Sequence, residues 1–390
     1  MKLLIRIAIA IAAGIGAGFV FPDVLTRIFM TFNAIFSEFL GFVIPLLIVG
    51  FVAPAIAEIG KKAGAMLGVT VLIAYAMTFG AGLLSFATAE TVFPHILGNI
   101  RLAETTAEAE SSGALAPFFT LEIEPLMSVM TALILAFVLG FGGAVLPEAR
   151  ALRRGLDDFR AVIRLVIERV IIPLLPIYIF GIFLSMAVAG IVGPILVTFA
   201  KIIVVIFVLH VGLLVAQYCI AAIFSHKNPF KALWTMMPAY FTALGTQSSV
   251  ATIPVTLERT VAMGVPRPIA GFVIPLCATI HMSGSTLKIV ACAIALMIVK
   301  GMPVEFGAIA GFIAMLGITI VAAPGTPGGA IMASLGLLTS ILGFSEADNA
   351  MMIALYIAMD SFGTACNITG DGAIAQIVAR IFPQQTNSNT

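Results

Sequence analysis

The sequence predicts an all-α membrane protein: eight transmembrane helices and two re-entrant helical hairpins. Three observations carry that expectation. Of 390 residues, 61% are hydrophobic and only 10% charged, against about 25% charged in a soluble domain. Apolar runs of about 20 residues, the length a helix needs to cross a bilayer, recur along the chain. Two further apolar stretches are each interrupted near the middle by small and polar residues.

Taken in order, spans are expected near 3–22, 29–57, 63–89, 117–146, 164–192 and 196–224. The first reads as a span rather than a cleaved leader, because the whole chain is membranous. The loops after the second, fourth and sixth spans hold Lys61, Lys62, Arg150, Arg153, Arg154, Arg160, Lys227 and Lys231, whereas those after the first, third and fifth hold only Arg27 and Arg101. This asymmetry predicts a cytoplasmic N-terminus. The acidic stretch 103–113 then falls outside as a solvated loop.

After Lys231 the pattern changes. Residues 232–263 are broken by LGTQSSVATIP, and residues 306–342 by AAPGTPGGA. Each half, about 15 residues or roughly 22 Å of helix, is too short for a hydrocarbon core of about 30 Å. Irregular backbone at membrane depth is tolerated only inside protein or beside water. Both segments therefore read as hairpins whose tips meet in the interior, a pattern that points to a site between inverted repeats. A pair of kinked full-length helices is the plainer alternative.

Between and after the hairpins lie two more apolar runs with polar centres. Ile269–Val299 contains CATIHMSGST, followed by Lys288. In MDSFGTACNITGDGA, Asp360, Thr364, Asn367 and Asp371 are spaced 4, 3 and 4 apart, within about 40° of one another on a helix. Carboxylates at membrane depth are costly and mark substrate or ion pathways. An aspartyl-protease dyad is excluded, since eleven residues of helix hold the two carboxylates about 16 Å apart and such a dyad must share a proton. Cys219, Cys277, Cys292 and Cys366 stand singly and read as small reduced core residues. A net charge of +1 gives no hint of nucleic acid, and no fingerprint of an enzyme cofactor is present.

These motifs resemble the glutamate transporter family, the dicarboxylate/amino acid:cation symporters. GTQSSVATIPVTLE resembles its first hairpin tip, FVIPLCATIHMSGST its seventh span, GTPGGAIM its second tip and DSFGTACNITGD its eighth span. The resemblance implies an elevator-type transporter in a homotrimer. Residues 1–62 and 117–192 would form a scaffold, 63–90 and 193–382 a moving transport domain, and 383–390 a disordered tail. It further implies an integral membrane protein, in a bacterial inner membrane by its short loops. By the same resemblance Asp360 would hold a substrate ammonium, with Thr364 and Asn367 beside it. Gln247, Ser248, Ser249 and Ser285 would line the substrate pocket, and Thr326 the gate. Members that carry acidic amino acids place an arginine where this chain has Gly363, so an unpaired second carboxylate would be penalised. The expectation is a small amino acid with a neutral side chain, with room for it over Gly363.

The cation sites depart from the family more. Its asparagine and aspartate become His281 and Ser283, around Met282, and its third-span ligands align with Tyr75, Thr78 and Phe79. The deepest sodium site is therefore expected to be absent. A second, Na⁺ at Asp371 and Asn367 with carbonyls near Cys277, would have His281 in place of an amide oxygen. Imidazole is a poor sodium ligand and a good proton acceptor. Two readings follow: His281 or Lys288 carries a proton or stands in for a cation beside Asp371, or His281 bonds only a carbonyl and Na⁺ still binds elsewhere. A third site would use backbone carbonyls around Thr279 and the second hairpin, with Met282. The coupling ion is Na⁺ and/or H⁺. The rivals are a dicarboxylate or acidic amino acid symporter of the same fold and, from another class, an ion channel.

Overall fold

A computed structural model of the chain describes residues 2–61, 65–97, 115–146, 148–190, 192–321 and 328–383. Thr326, the acidic stretch at 103–113 and all but the first residue of the expected tail lie outside these residues. The described chain is helical: α1 (Lys2–Gly18), α2 (Asp23–Lys61), α3 (Ala65–Leu97), α4 (Val129–Val145), α5 (Arg150–Val166), α6 (Ile172–Val188), α7 (Val192–Ser225), α8 (Pro229–Thr246), α9 (Ser249–Ala262), α10 (Arg267–Ile280), α11 (Ser283–Val299), α12 (Phe306–Val321), α13 (Gly329–Leu342), α14 (Glu346–Ala358) and α15 (Asp360–Ile381).

Among the described residues five stretches are long and apolar enough to cross a membrane: Asp23–Gly50, Ala65–Leu97, Arg150–Val188, Leu196–Ser225 and Arg267–Val299; the bent pair α14–α15 makes a sixth if it is counted as one span. The helices in the first and fourth expected spans, α1 and α4, have 17 residues each, about 26 Å and short of the hydrocarbon thickness. The fourth begins at Val129 rather than near 117, where Ser128 caps it by accepting from the Thr131 N–H. The fifth begins at Arg150, so the arginines expected in a loop lie on helix α5. One of them closes α4, as Arg153 donates from Nη2 to the Leu146 carbonyl at 2.7 Å and satisfies an end that the helix leaves unpaired. Between α5 and α6 the helix widens to a π turn at Ile167–Ile171. Pro173 follows, and a proline ring cannot fit an undistorted helical turn.

Both interrupted segments are helix–break–helix units whose arms pack on each other, α8 on α9 and α12 on α13. At the first break Gln247 adopts a left-handed conformation (φ 54°) and Ser248 caps α9 by accepting from the Ala251 N–H. At the second, Gly328 (φ 80°) precedes α13, a backbone region that favours glycine.

The α10–α11 span is the innermost, with 94% of its apolar stretch buried against 33% for α7. It packs on α3 and α15. Cys277, Cys292 and Cys366 are buried as expected, but Cys219 is exposed on α7. On the other side α1 packs on α6, and α2 on α4, α5 and α6.

Candidate functional site

The apolar neighbourhood around CATIHMSGST breaks at His281 and Met282, between α10 and α11, and not at the glycine. Gly284 has a different task. A Cβ there would lie 2.7 Å from Cys366 Cβ and 2.8 Å from the Gly363 carbonyl. Only a residue without a side chain lets α11 and α15 approach that closely. The α14–α15 span also breaks, by 63°, at Met359. Asp360 is consequently the first residue of α15 rather than a mid-helix position. The breaks at His281–Met282 and at Met359 thus adjoin one polar region, which the Gly328 N–H also reaches.

Among the described residues two pairs of a basic side chain and a carboxylate occupy it. Lys288 Nζ stands 3.2 Å from Asp360 Oδ1, 3.3 Å from the Met359 carbonyl and 3.4 Å from the centre of the Tyr356 ring. Lys288 is 0% exposed. An ammonium has three hydrogens, and a carboxylate, a carbonyl and an aromatic face match them in number. The other oxygen of Asp360 accepts from the Gly328 N–H at 2.8 Å, at the start of the second hairpin's returning arm. The space expected over Gly363 is filled by this lysine: a Cβ on Gly363 would lie 2.8 Å from Lys288 Nζ and 3.0 Å from its Cε. The side-chain room that the sequence suggested is taken, and a cation does stand at that position. Its source is α11 rather than α15.

The second pair lies deeper along α15. His281 Nδ1 is 2.9 Å from Asp371 Oδ1 and 3.2 Å from the Asn367 carbonyl, and both side chains are fully buried. Gln217 on α7 donates from Nε2 to Ser283 Oγ at 2.9 Å and comes within 3.3 Å of His281 Nε2. With the amide so oriented, that ring nitrogen is an acceptor, and the imidazole proton sits on Nδ1 facing Asp371. Asp371 Oδ2 and Gln217 Oε1 find no partner among the described residues. His281 thus touches both the carboxylate that one of its two readings names and a backbone carbonyl, the kind of partner that the other names. Lys288, named with it in the first of these readings, serves Asp360 instead.

Asn367 is spent on α11. Its Oδ1 accepts from the N–H groups of Gly284 (2.8 Å) and Ser285 (3.3 Å), and its Nδ2 donates to Ser285 Oγ at 3.1 Å and lies 3.4 Å from Met282 Sδ. Tyr356 donates its hydroxyl to the same Ser285 oxygen at 3.2 Å. Thr364 is half-buried and donates to the Asp360 carbonyl at 3.1 Å. The amide oxygen proposed for Na⁺ is thus held by two backbone donors, and one Asp371 oxygen by imidazole, which leaves a sparse donor set for a hard cation. Among the described residues no cluster of three His, Cys, Asp or Glu could hold a metal. At the deeper position Thr78 Oγ1 accepts from the Met282 N–H, Tyr75 donates to the Ala314 carbonyl, and Phe79 stacks on Tyr75. The Cys277 carbonyl accepts from the His281 N–H, and Thr279 is exposed. At the first tip Gln247 and Ser249 are buried, while Ser248 spends its hydroxyl on the α9 cap.

Sequence reasoning did not single out Gln217, His210 or Tyr356. The first two carried a signal: they are polar, seven residues apart and on one face of an apolar span. His210 is buried, with Nε2 3.0 Å from the Gly284 carbonyl. Tyr356 lies in an ordinary apolar run, and nothing marks its ring as the bed of a lysine.

Comparison with known proteins agrees with this architecture. The model of the sodium:dicarboxylate symporter family matches residues 3–381. The serine/threonine transporter SstT of Acinetobacter baumannii (strain AYE) is 26% identical over 387 residues, 95% of this chain and 94% of that protein. Excitatory amino acid transporter 4 of Mus musculus is 32% identical over 160 residues, 40% of this chain and 28% of that protein. Excitatory amino acid transporter 1 of Rattus norvegicus is 28% identical over 301 residues, 75% of this chain and 54% of that protein. The chain therefore spans well under two thirds of those two excitatory relatives.

Proposed function

Because the chain belongs to the sodium:dicarboxylate symporter family, whose members are transporters and not enzymes, we propose that it carries a small amino acid with a neutral side chain across a membrane together with a cation. The observation that carries this reading is the neutral Asp360–Lys288 pair inside the polar region. A zwitterion adds no net charge to it. An acidic amino acid adds one negative charge, and of the other basic groups described nearby His281 is committed to Asp371 and His210 lies against the Gly284 carbonyl. An excess buried carboxylate is penalised by several kcal/mol. The near-full-length match to a serine/threonine transporter supports the same class.

A second reading rests on Lys288 standing over Gly363. If the lysine lets go of Asp360, its ammonium can receive a second carboxylate, and the substrate is then acidic. The family's description implies Na⁺ as the coupling ion. The His281–Asp371 pair favours fewer Na⁺ per substrate than two intact carboxylate sites would give, with H⁺ as the alternative. Alternating access by an elevator, with 1–62 and 117–192 as scaffold and 63–90 and 193–382 as the moving part, is supported by the packing of α1, α2, α4, α5 and α6 among themselves and of α3 on α11. A homotrimer in a bacterial inner membrane with a cytoplasmic N-terminus completes the proposal.

Uptake into proteoliposomes tests it, with labelled serine, threonine, alanine, aspartate and succinate and with Na⁺ and pH gradients varied separately. Concentrative uptake of a neutral amino acid driven by either gradient is the expected result. Preference for aspartate or succinate moves the assignment to the second reading, and flux indifferent to both gradients removes the coupling.

A further inference from the structure

The ammonium on Asp360 belongs to the chain itself. We propose that Lys288 is a tethered counter-ion, an internal cation that holds Asp360 while no substrate amine does, so that the empty carrier can return without an exported ion. This rests on the amino acid reading above.

Five observations carry it. Lys288 Nζ reaches Asp360 Oδ1 at 3.2 Å. The lysine is wholly buried, so the cation is not borrowed from solvent. Its two further contacts, the Met359 carbonyl and the Tyr356 ring, hold an ammonium without needing Asp360; they are a place for it to remain when a ligand amine takes the carboxylate. Gly363 leaves room for the lysine stem and for nothing larger than hydrogen of its own. Asp360 also accepts from the Gly328 N–H, so the group that the lysine neutralises is the one that fastens the second hairpin. Both states of the site are then electrically balanced. With substrate, the ligand ammonium faces Asp360, and Lys288 stays on the Met359 carbonyl and the Tyr356 ring, clear of the ligand. Without substrate, Lys288 faces Asp360. A carboxylate left alone at this depth would oppose movement through an apolar barrier.

Removal of the lysine should therefore hurt the empty carrier more than the loaded one. In Lys288→Ala, exchange of labelled for unlabelled substrate across the liposome membrane is expected within about threefold of the parent, while net uptake into substrate-free liposomes falls at least tenfold. Ethylammonium, which replaces the lost head group, should restore net uptake. The same compound should raise the thermal stability of purified Lys288→Ala, but not that of the parent or of Lys288→Ala/Asp360→Asn; this arm needs no substrate and stands even if the amino acid reading fails. Lys288→Arg should keep net uptake. Equal loss of exchange and net uptake, or an ethylammonium response that persists in the double variant, would overturn the proposal. So would a Lys288→Ala protein that returns empty at the parental rate.

Discussion

His281→Asn asks whether imidazole holds the place of a cation. In the parent, Nδ1 covers Asp371 Oδ1 at 2.9 Å in a fully buried setting, and Oδ2 has no partner among the described residues. The shorter amide loses that contact and leaves a buried carboxylate without its donor, a change that costs about 1.5–3 kcal/mol for a hydrogen bond to a charged group. It also supplies the oxygen that imidazole lacks. Asp371, the new amide and the Asn367 carbonyl, now freed of imidazole at 3.2 Å, would then form an oxygen-lined site. If Na⁺ binds there with a Kd of about 3 mM, 300 mM Na⁺ returns about 2.7 kcal/mol by mass action. The variant is thus expected to be about 1.5–3 kcal/mol less stable than the parent in choline chloride and to recover most of the loss as NaCl replaces it at constant ionic strength. The parent should move by less than about 0.5 kcal/mol from this site. Denaturation of the detergent-purified proteins across a Na⁺ series measures both, and Asp371→Asn in the variant background should flatten the response. A variant whose stability ignores Na⁺, or one that matches the parent in choline, would show that imidazole does not substitute for a cation.

Four further variants test the packing. Tyr356→Phe removes the hydroxyl bond to Ser285 and should cost about 0.5–1.5 kcal/mol; Tyr356→Leu also removes the ring 3.4 Å from the lysine nitrogen and should cost about 2 kcal/mol more, read by the same denaturation assay. Gly284→Ala drives a methyl to 2.7 Å from Cys366 Cβ and 2.8 Å from the Gly363 carbonyl, and should lose about 1–3 kcal/mol. Gly271→Ala on α10, with open space around it, should instead gain up to about 1 kcal/mol.

How much of this was legible from residue order varies with the physics of each feature. The interruptions of the two apolar segments were plain, because a left-handed Gln247 and a glycine at 328 sit in runs of small and polar residues that no membrane helix would otherwise carry. The stripe Asp360–Thr364–Asn367–Asp371 was plain for the same reason, since helical spacing alone fixes it. The break at Met359 was not, as it contains neither glycine nor proline; there the chain bends where Asp360 finds partners from α11 and α13, both distant in sequence. The void over Gly363 was misjudged on similar grounds. A glycine opposite a long side chain looks the same in sequence as a glycine opposite nothing, and only the register of α11 against α15 decides which it is.

That register also explains why each cation meets its carboxylate. His281 and Lys288 are seven residues apart, and Asp371 and Asp360 eleven. Along a single straight helix the cations would span about 10.5 Å and the carboxylates about 16 Å. His281, however, is not on α11. It caps α10, with its backbone extended (φ −94°, ψ 105°), and extended residues advance more than twice as far as helical ones. Long side chains take up the rest, with lysine reaching back past Gly363 to the first turn of α15. Because α11 and α15 are held in contact at Gly284, a shift of one turn between them would part both pairs together. The two pairs therefore act as a single register lock, and a lesion in either is expected to weaken the other's geometry. A double-variant comparison of His281→Asn with Lys288→Met should show a coupling of at least about 0.5 kcal/mol, larger than distant independent sites give. Strict additivity would mean that each pair is set by its own surroundings and that the helices are registered elsewhere.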